Sequence, residues 1–260
     1  MTDVSDPLSR GARPHTTHAH VVDHLGLRIL SGEAQPGAVL PVEADLAQQL
    51  GVSRGALREA VRVLVAKGLL EVRPRTGTRV RAREDWNFLD RDVLRWQQQT
   101  DQNRLLRNLT ELRHAVEPEA ARLAATRAGD DELTELREAY GAMRSAVDDA
   151  DVDRFNAADL AFHRALLRAS GNDLFGSLEQ AIEVSLRESF IALSATPGAS
   201  KAVLPLHRAV LDAVVARDPD LAVVAAHRVV YGGRGSAPVL PAPSPEAPTM
   251  PGDGISGGGA

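Results

Sequence analysis

The chain has 260 residues, 43% of them hydrophobic but only 3% aromatic, so leucine, valine and alanine must fill its one large or two modest cores. It has no cysteine, which excludes a disulfide framework and thiolate metal sites, and it shows neither a signal-type apolar run near the N-terminus nor a run approaching the ~20 apolar residues of a membrane span. The expectation is a soluble cytoplasmic protein. Its net charge of −5 hides an asymmetry: residues 13 to 83 carry 11 basic against 6 acidic residues, a net of +5, and the remainder carries 19 against 29, a net of −10. That split suggests a nucleic-acid module joined to an acidic partner domain.

Residues 1 to 17 are polar and read as a disordered arm. Histidines 15, 18, 20 and 24 fall in or beside it and read as solvated, not as a metal site. A helix follows from about Thr17 to Leu30 with Val21, Val22, Leu25 and Ile29 on one face, and "SGEAQPG" breaks it.

The stretch "LPVEADLAQQLGVSRGALREAVRVLVAKGLLEVRPRTGTRV", residues 40 to 80, has helix-turn-helix spacing. Pro41 starts a short helix with Leu46, Ala47 and Leu50 inward, Gly51 supplies a left-handed stop, and Ser53 caps the next helix. There Leu57, Ala60, Val61 and Leu64 form a core stripe beside a row of Arg54, Arg58 and Arg62, which can reach phosphates and guanine edges from the major groove. A strand pair follows, with Leu70 and Val72 alternating with Glu71 and Arg73, a "PRTG" turn, and then Thr78 and Val80 alternating with Arg79 and Arg81. Arg75 projects from the tip of this wing.

From Asp85 almost everything reads as helix, over 85 to 99, 102 to 128, 130 to 148, 151 to 169, 172 to 194, 200 to 216 and 218 to 230. In the first of these, Trp86, Leu89, Val93 and Trp96 follow the spacing of a packed linker helix. The fold class expected is mainly α: a winged helix-turn-helix over 18 to 83, then a linker helix and an all-α bundle over 84 to 230. Residues 231 to 260 hold 8 Gly and 6 Pro in 30 positions and read as a disordered tail, and "YGGRG" cuts the last helix short four residues after His227.

Polar groups in apolar helices pose the functional question. Asp159 and His163, one turn apart in "FNAADLAFH", share a face with Phe155 and Leu166, and His207 and His227 sit in equally apolar runs. If their helices converge, one carboxylate and three imidazoles suit a divalent metal such as Zn, Ni or Mn; taken singly, each histidine is as readily an ordinary core or surface residue.

The residues 40 to 80 resemble the winged helix-turn-helix of the GntR family of bacterial transcription regulators, and the helical remainder resembles the effector domain of its FadR subfamily (the FCD type). The resemblance implies operator contacts at Ser53, Arg54 and Arg58, with the wing contributing Arg75 to Gly77. Ala44 departs from the pattern, standing where many members carry an arginine, which puts one contact in question. It also implies a metal site at Asp159, His163, His207 and His227, with Zn the best-suited ion, and an effector carboxylate held by Arg113. The alternative for Arg113 is an ion pair with Glu117 one turn on. Asn156 and Arg187 are further candidates for the effector cavity. The segments "DWNFLDRDVLRW" and "FNAADLAFH" are similar to those of D-galactonate-responsive repressors, implying a sugar-acid effector.

Three functions remain open on this reading. The first is a homodimeric regulator, a repressor, binding double-stranded operator DNA under control of a small anionic metabolite. The second is a direct metal sensor. The third is a metal-dependent enzyme acting on a sugar acid with Glu117 or Glu183 as base, which would have no use for the basic head.

Overall fold

The computed structural model describes residues 18 to 194 and 198 to 232, with side chains omitted over 188 to 194 and at 232. The proposed arm, and the tail from residue 233, lie outside the described residues. Among the described residues the elements run α1 (His18–Leu30), α2 (Glu43–Gln49), α3 (Arg54–Ala66), β1 (Leu70–Arg73), β2 (Gly77–Val80), a 3-10 turn (Arg83–Asp85), α4 (Arg91–Thr100), α5 (Gln102–Arg127), α6 (Asp130–Asp148), α7 (Val152–Ala169), a one-turn α8 (Asp173–Gly176), α9 (Glu179–Ser194), α10 (Ala199–Val215) and α11 (Pro219–Gly232). The expected mainly α fold, with a winged head and a helical bundle, is what forms.

In the head, Val21, Val22, Leu25 and Ile29 of α1 join Leu46, Leu57, Leu64, Leu70 and Val80 in one core. Histidines 18, 20 and 24 are exposed, as expected, although they belong to α1 and not to a loose arm. The wing is an antiparallel pair, Leu70 opposite Val80 and Val72 opposite Thr78. Residues 37 to 40 lie along the far side of β2, where Leu40 N–H donates to Thr78 O at 2.8 Å and Val80 N–H to Ala38 O at 2.9 Å. This bridging segment, which hydrophobic alternation does not announce, satisfies the outer edge of β2. Val72 is a correction: it is 61% exposed, because the core lies only under the Leu70–Val80 end of the hairpin.

The linker helix starts later than expected, at Arg91, because the Asp90 side chain accepts from the Asp92 and Val93 N–H groups and fixes the first turn there. Trp86 precedes the helix in extended backbone and donates its indole N–H to Arg81 O, and Leu89 is 48% exposed, outside the packed stripe. The expected helix over 172 to 194 is broken at Ser177 and Leu178 into α8 and α9. The last helix reaches Gly232, so Tyr231 is helical and not part of the tail.

Helices α5, α6, α7, α10 and α11 enclose the main bundle core of Leu133, Leu136, Met143, Phe155, Phe162, Leu166, Val210 and Val214, with small alanines such as Ala121 and Ala124 allowing close approach. A smaller cluster joins Val116, Leu160, Leu167, Ile182 and Leu186 beneath α9. Among the described residues two helices carry a proline beyond their first turn: Pro118 within α5 and Pro205 within α10. Each removes one backbone N–H donor from its helix ladder. No helix among the described residues is long and apolar enough to cross a membrane.

Candidate functional site

The reading head presents the arginines as an unshielded row. Leu50 ends α2, Gly51 takes φ +65° to turn the chain, and Ser53 caps α3 by accepting from Ala56 N–H at 3.1 Å. With Leu57, Ala60, Val61 and Leu64 buried, the helical period leaves Arg54, Arg58 and Arg62 exposed along the opposite side. Arg62 pairs with Glu59 at 3.3 Å, whereas Arg54 and Arg58 have no ion pair among the described residues. Arg75 is exposed at the wing tip with φ +67°, followed by Gly77 at φ +84°. A helix N-terminus carrying free guanidinium groups, beside a basic wing, offers the donor pattern that duplex DNA requires.

The bundle holds a second constellation. Asp159 and His163 from α7 and His207 from α10 are all buried, and one ligand atom from each lies within 4.8 Å of the others. His207 Nδ1 is 3.1 Å from Val203 O, and a carbonyl can only accept, so the ring proton belongs on Nδ1. His207 Nε2 lies 2.9 Å from Asp159 Oδ1, a contact in which a protonated ring donates and a neutral one leaves a lone pair facing the carboxylate. His163 Nδ1 lies 2.9 Å from Glu117 Oε2, with Nε2 3.9 Å from Asp159 Oδ2. A proton on Nδ1 would face Glu117, although this contact, like that of His207 Nε2, falls outside hydrogen-bond geometry, and Nε2 faces Asp159. Two imidazoles and a carboxylate in a dry interior need positive charge among them, supplied by protons on the rings or by a cation, and as a donor set these residues fit a divalent metal.

Behind the donors stands a second layer. Arg113 Nε donates to Glu117 Oε1 at 2.6 Å, so the guanidinium, Glu117 and His163 form a continuous buried chain. Burial pushes the Glu117 carboxyl up, and Arg113 and His163 outweigh it, holding the group well below the usual carboxylate range. Burial acts on Asp159 in the same sense, and His207, His163 and Arg113 together bring its carboxyl down.

The structure sorts the candidates. Asp159, His163 and His207 come together; His227 is not in their group, and its ring centroid lies 6.1 Å from that of Tyr231, which is itself stacked at 3.9 Å on His114 of α5. Arg113 is engaged by Glu117, the pairing that its spacing also allowed. Asn156 has its Oδ1 buried without a hydrogen-bond partner. Arg187 is a correction: its side chain is 64% exposed and pairs with Glu183, which Arg164 also holds, so it does not reach the buried site. The position of Glu117 as the support of His163 had no signal in sequence beyond its i+4 relation to Arg113, since its histidine partner is on another helix.

A winged reading head on a helical bundle with a buried polar core defines a DNA-binding transcription regulator. Residues 17 to 80 match the model of bacterial regulatory proteins of the gntR family and residues 108 to 231 match the FCD domain. Among curated relatives, the galactonate operon transcriptional repressor of Escherichia coli K12 is 36% identical over 79% of this chain and 90% of its own. The HTH-type transcriptional regulator YieP of the same organism is 34% identical over 78% of this chain and 87% of its own. The structure of Lar, which controls expression of the Listeria monocytogenes agr system, covers 84% of this chain and 94% of its own at a TM-score of 0.52 and 18% identity, a likeness of fold alone. The chain therefore belongs to the GntR family, with an FCD domain, and is a transcription regulator, not an enzyme.

Proposed function

We propose that this regulator is a cytoplasmic repressor that binds a near-palindromic operator as a homodimer and releases it when a small carboxylate metabolite, a sugar acid such as galactonate, occupies the bundle. Ser53, Arg54, Arg58, Arg75 and Gly77 contact the DNA, with the arginines reading base edges or phosphates from the major groove. Two-fold pairing of the heads sets half-sites about one helical turn apart. The name of the galactonate repressor supports the effector class.

The observation that carries the effector reading is the convergence of Asp159, His163 and His207 in one buried group with a ligand atom of each within 4.8 Å of the others. These three residues hold a divalent ion, Zn best suited, whose residual positive charge and open positions receive carboxylate and hydroxyl oxygens. Asn156 Oδ1 accepts from an effector hydroxyl. Arg113 acts through Glu117, which fixes the His163 ring. The test is a thermal-shift comparison of metal-loaded and chelator-stripped protein against aldonates, lactate and other hydroxy acids, paired with operator gel shifts. A sugar acid that raises the midpoint only with metal present and releases the operator supports the reading. A midpoint indifferent to both metal and acids overturns it.

One observation favours a second reading, in which the metal itself is the signal. Arg113 is committed to Glu117 and needs no organic anion to explain its burial. Operator affinity that follows metal concentration and ignores every acid would select this alternative.

A further inference from the structure

A cavity of about 300 Å³ lies away from the buried histidines, where the linker meets the N-terminal half of α5. Its floor is apolar, built from Phe88, Leu94, Leu105 and Leu109, and its polar wall is Arg83, Arg104, Asn108 and Gln97. Gln97 is only 7% exposed, and its Nε2 is buried without a hydrogen-bond partner. A buried amide donor left unpaired costs on the order of 1–3 kcal/mol, so an acceptor in the cavity, from a water, an ion or a ligand, is favoured beside it.

The charges point the same way. Arg83 lies with its guanidinium carbon 5.1 Å over the Trp86 ring and 5.0 Å over Phe88. Neither Arg83 nor Arg104 forms an ion pair among the described residues. Burial, and then the charge of Arg104, make the Arg83 cation less favourable, and Asp101 offsets this in part. Two arginines with an amide donor at the rim of an apolar pocket make a receptor for one anionic head on an apolar body.

We infer that this cavity binds an amphiphilic organic carboxylate, its carboxylate between Arg83, Arg104 and Gln97 and its apolar body on Phe88, Leu94, Leu105 and Leu109. Sugar acids, being polar throughout, do not match the floor. Such a ligand touches the segment leading from the wing and the start of α5 at once, so its occupancy is communicated to the reading head independently of the metal cluster.

Trp86, whose ring lies against Arg83 and Phe88 of the cavity lining, reports on it by its emission. The experiment titrates the full-length protein with 3-phenylpropanoate and follows tryptophan fluorescence, with 3-phenylpropanol and acetate as controls. The expected result is a saturable change whose midpoint rises roughly tenfold or more in Arg104→Ala and for each control, the loss of a charge-assisted hydrogen bond or of the apolar body. Arg104 is exposed, so the variant keeps its fold. Gln97→Met, which preserves volume, also weakens binding. Chelator treatment leaves the midpoint unchanged, which separates this site from the metal cluster whether or not the cluster takes a sugar acid. No saturable change, equal binding by Arg104→Ala, or a response abolished by the chelator overturns the inference. So does a signal that follows protein concentration alone, which would make the cavity a contact between copies of the chain.

Discussion

Gly26 of α1 faces the indole of Trp96 in α4 so closely that a β-carbon there would stand 2.6 Å from the ring. The same indole donates its N–H to Asp23 Oδ1 at 3.1 Å, and Arg95 reaches that carboxylate as well, so the first helix of the head and the linker helix are locked along one seam. Gly26→Ala should displace the ring and destabilise the protein by about 1–3 kcal/mol, the usual cost of overpacking. Thermal or urea unfolding measures the loss, and Asp23→Ala, which leaves the packing intact, should cost less.

Arg54 and Arg58 are exposed and unpaired, so their removal costs DNA affinity without costing stability. Each change to alanine should weaken operator binding by about 1–3 kcal/mol if the arginine reads a base. A phosphate contact instead lowers affinity for all sequences alike and reduces the salt slope by about 1. Gel shifts on operator and scrambled DNA at two salt concentrations distinguish the two. Unchanged selectivity in the double variant would refute the assignment of α3 as the reading helix.

Glu117 is buried between Arg113 and His163. Glu117→Ala strands a buried guanidinium and should cost about 3–5 kcal/mol, whereas Glu117→Gln keeps a hydrogen-bond acceptor for Arg113 and should cost less. The informative readout is metal affinity: Glu117→Gln should weaken it roughly 10–100-fold by loosening the His163 ring. Metal affinity equal to wild type would confine Glu117 to folding.

Lys67 at the end of α3 bonds Asp90 and Asp92 at 2.8 Å each, tying the reading helix to the start of the linker. Burial pushes the Asp92 carboxyl up, but Lys67 and Arg95 more than reverse this, so its folded-state pKa is depressed. Its contribution is therefore complete above the unfolded value, roughly 4, and is lost as pH falls through the lower folded value. Lys67→Met should lower the unfolding midpoint at neutral pH, and the gap to wild type should narrow below about pH 4. A gap constant over that range would mean that packing, not charge, accounts for Lys67.

What the sequence disclosed follows from the reach of its signals. The stripe of Leu57, Ala60, Val61 and Leu64 and the row of Arg54, Arg58 and Arg62 are periodic within one helix, and the structure separates them as the period requires. Asp159 and His163 likewise share a face by spacing alone, and both are buried. The bridging segment at 37 to 40 is too short and irregular to alternate, and its pairing to β2 rests on backbone groups that any sequence possesses. Arg187 shows the opposite failure: a plausible residue on a plausible helix, turned outward by Glu183. Contacts between helices, such as His207 with Asp159 or Glu117 with His163, depend on packing that spacing along a chain does not encode.

The prolines gain meaning from where they fall. Pro118 directly follows Glu117, and Pro205 stands two residues before His207, so α5 and α10 each lack a backbone donor beside a group that builds the polar core. At those two points the helices are compliant joints in otherwise stiff rods: flexing there breaks one fewer hydrogen bond than flexing anywhere else. A small adjustment of the buried donors can thus be converted into a change of helix direction, and because α5 begins at the linker, the angle gained is delivered toward the DNA-reading end of the molecule.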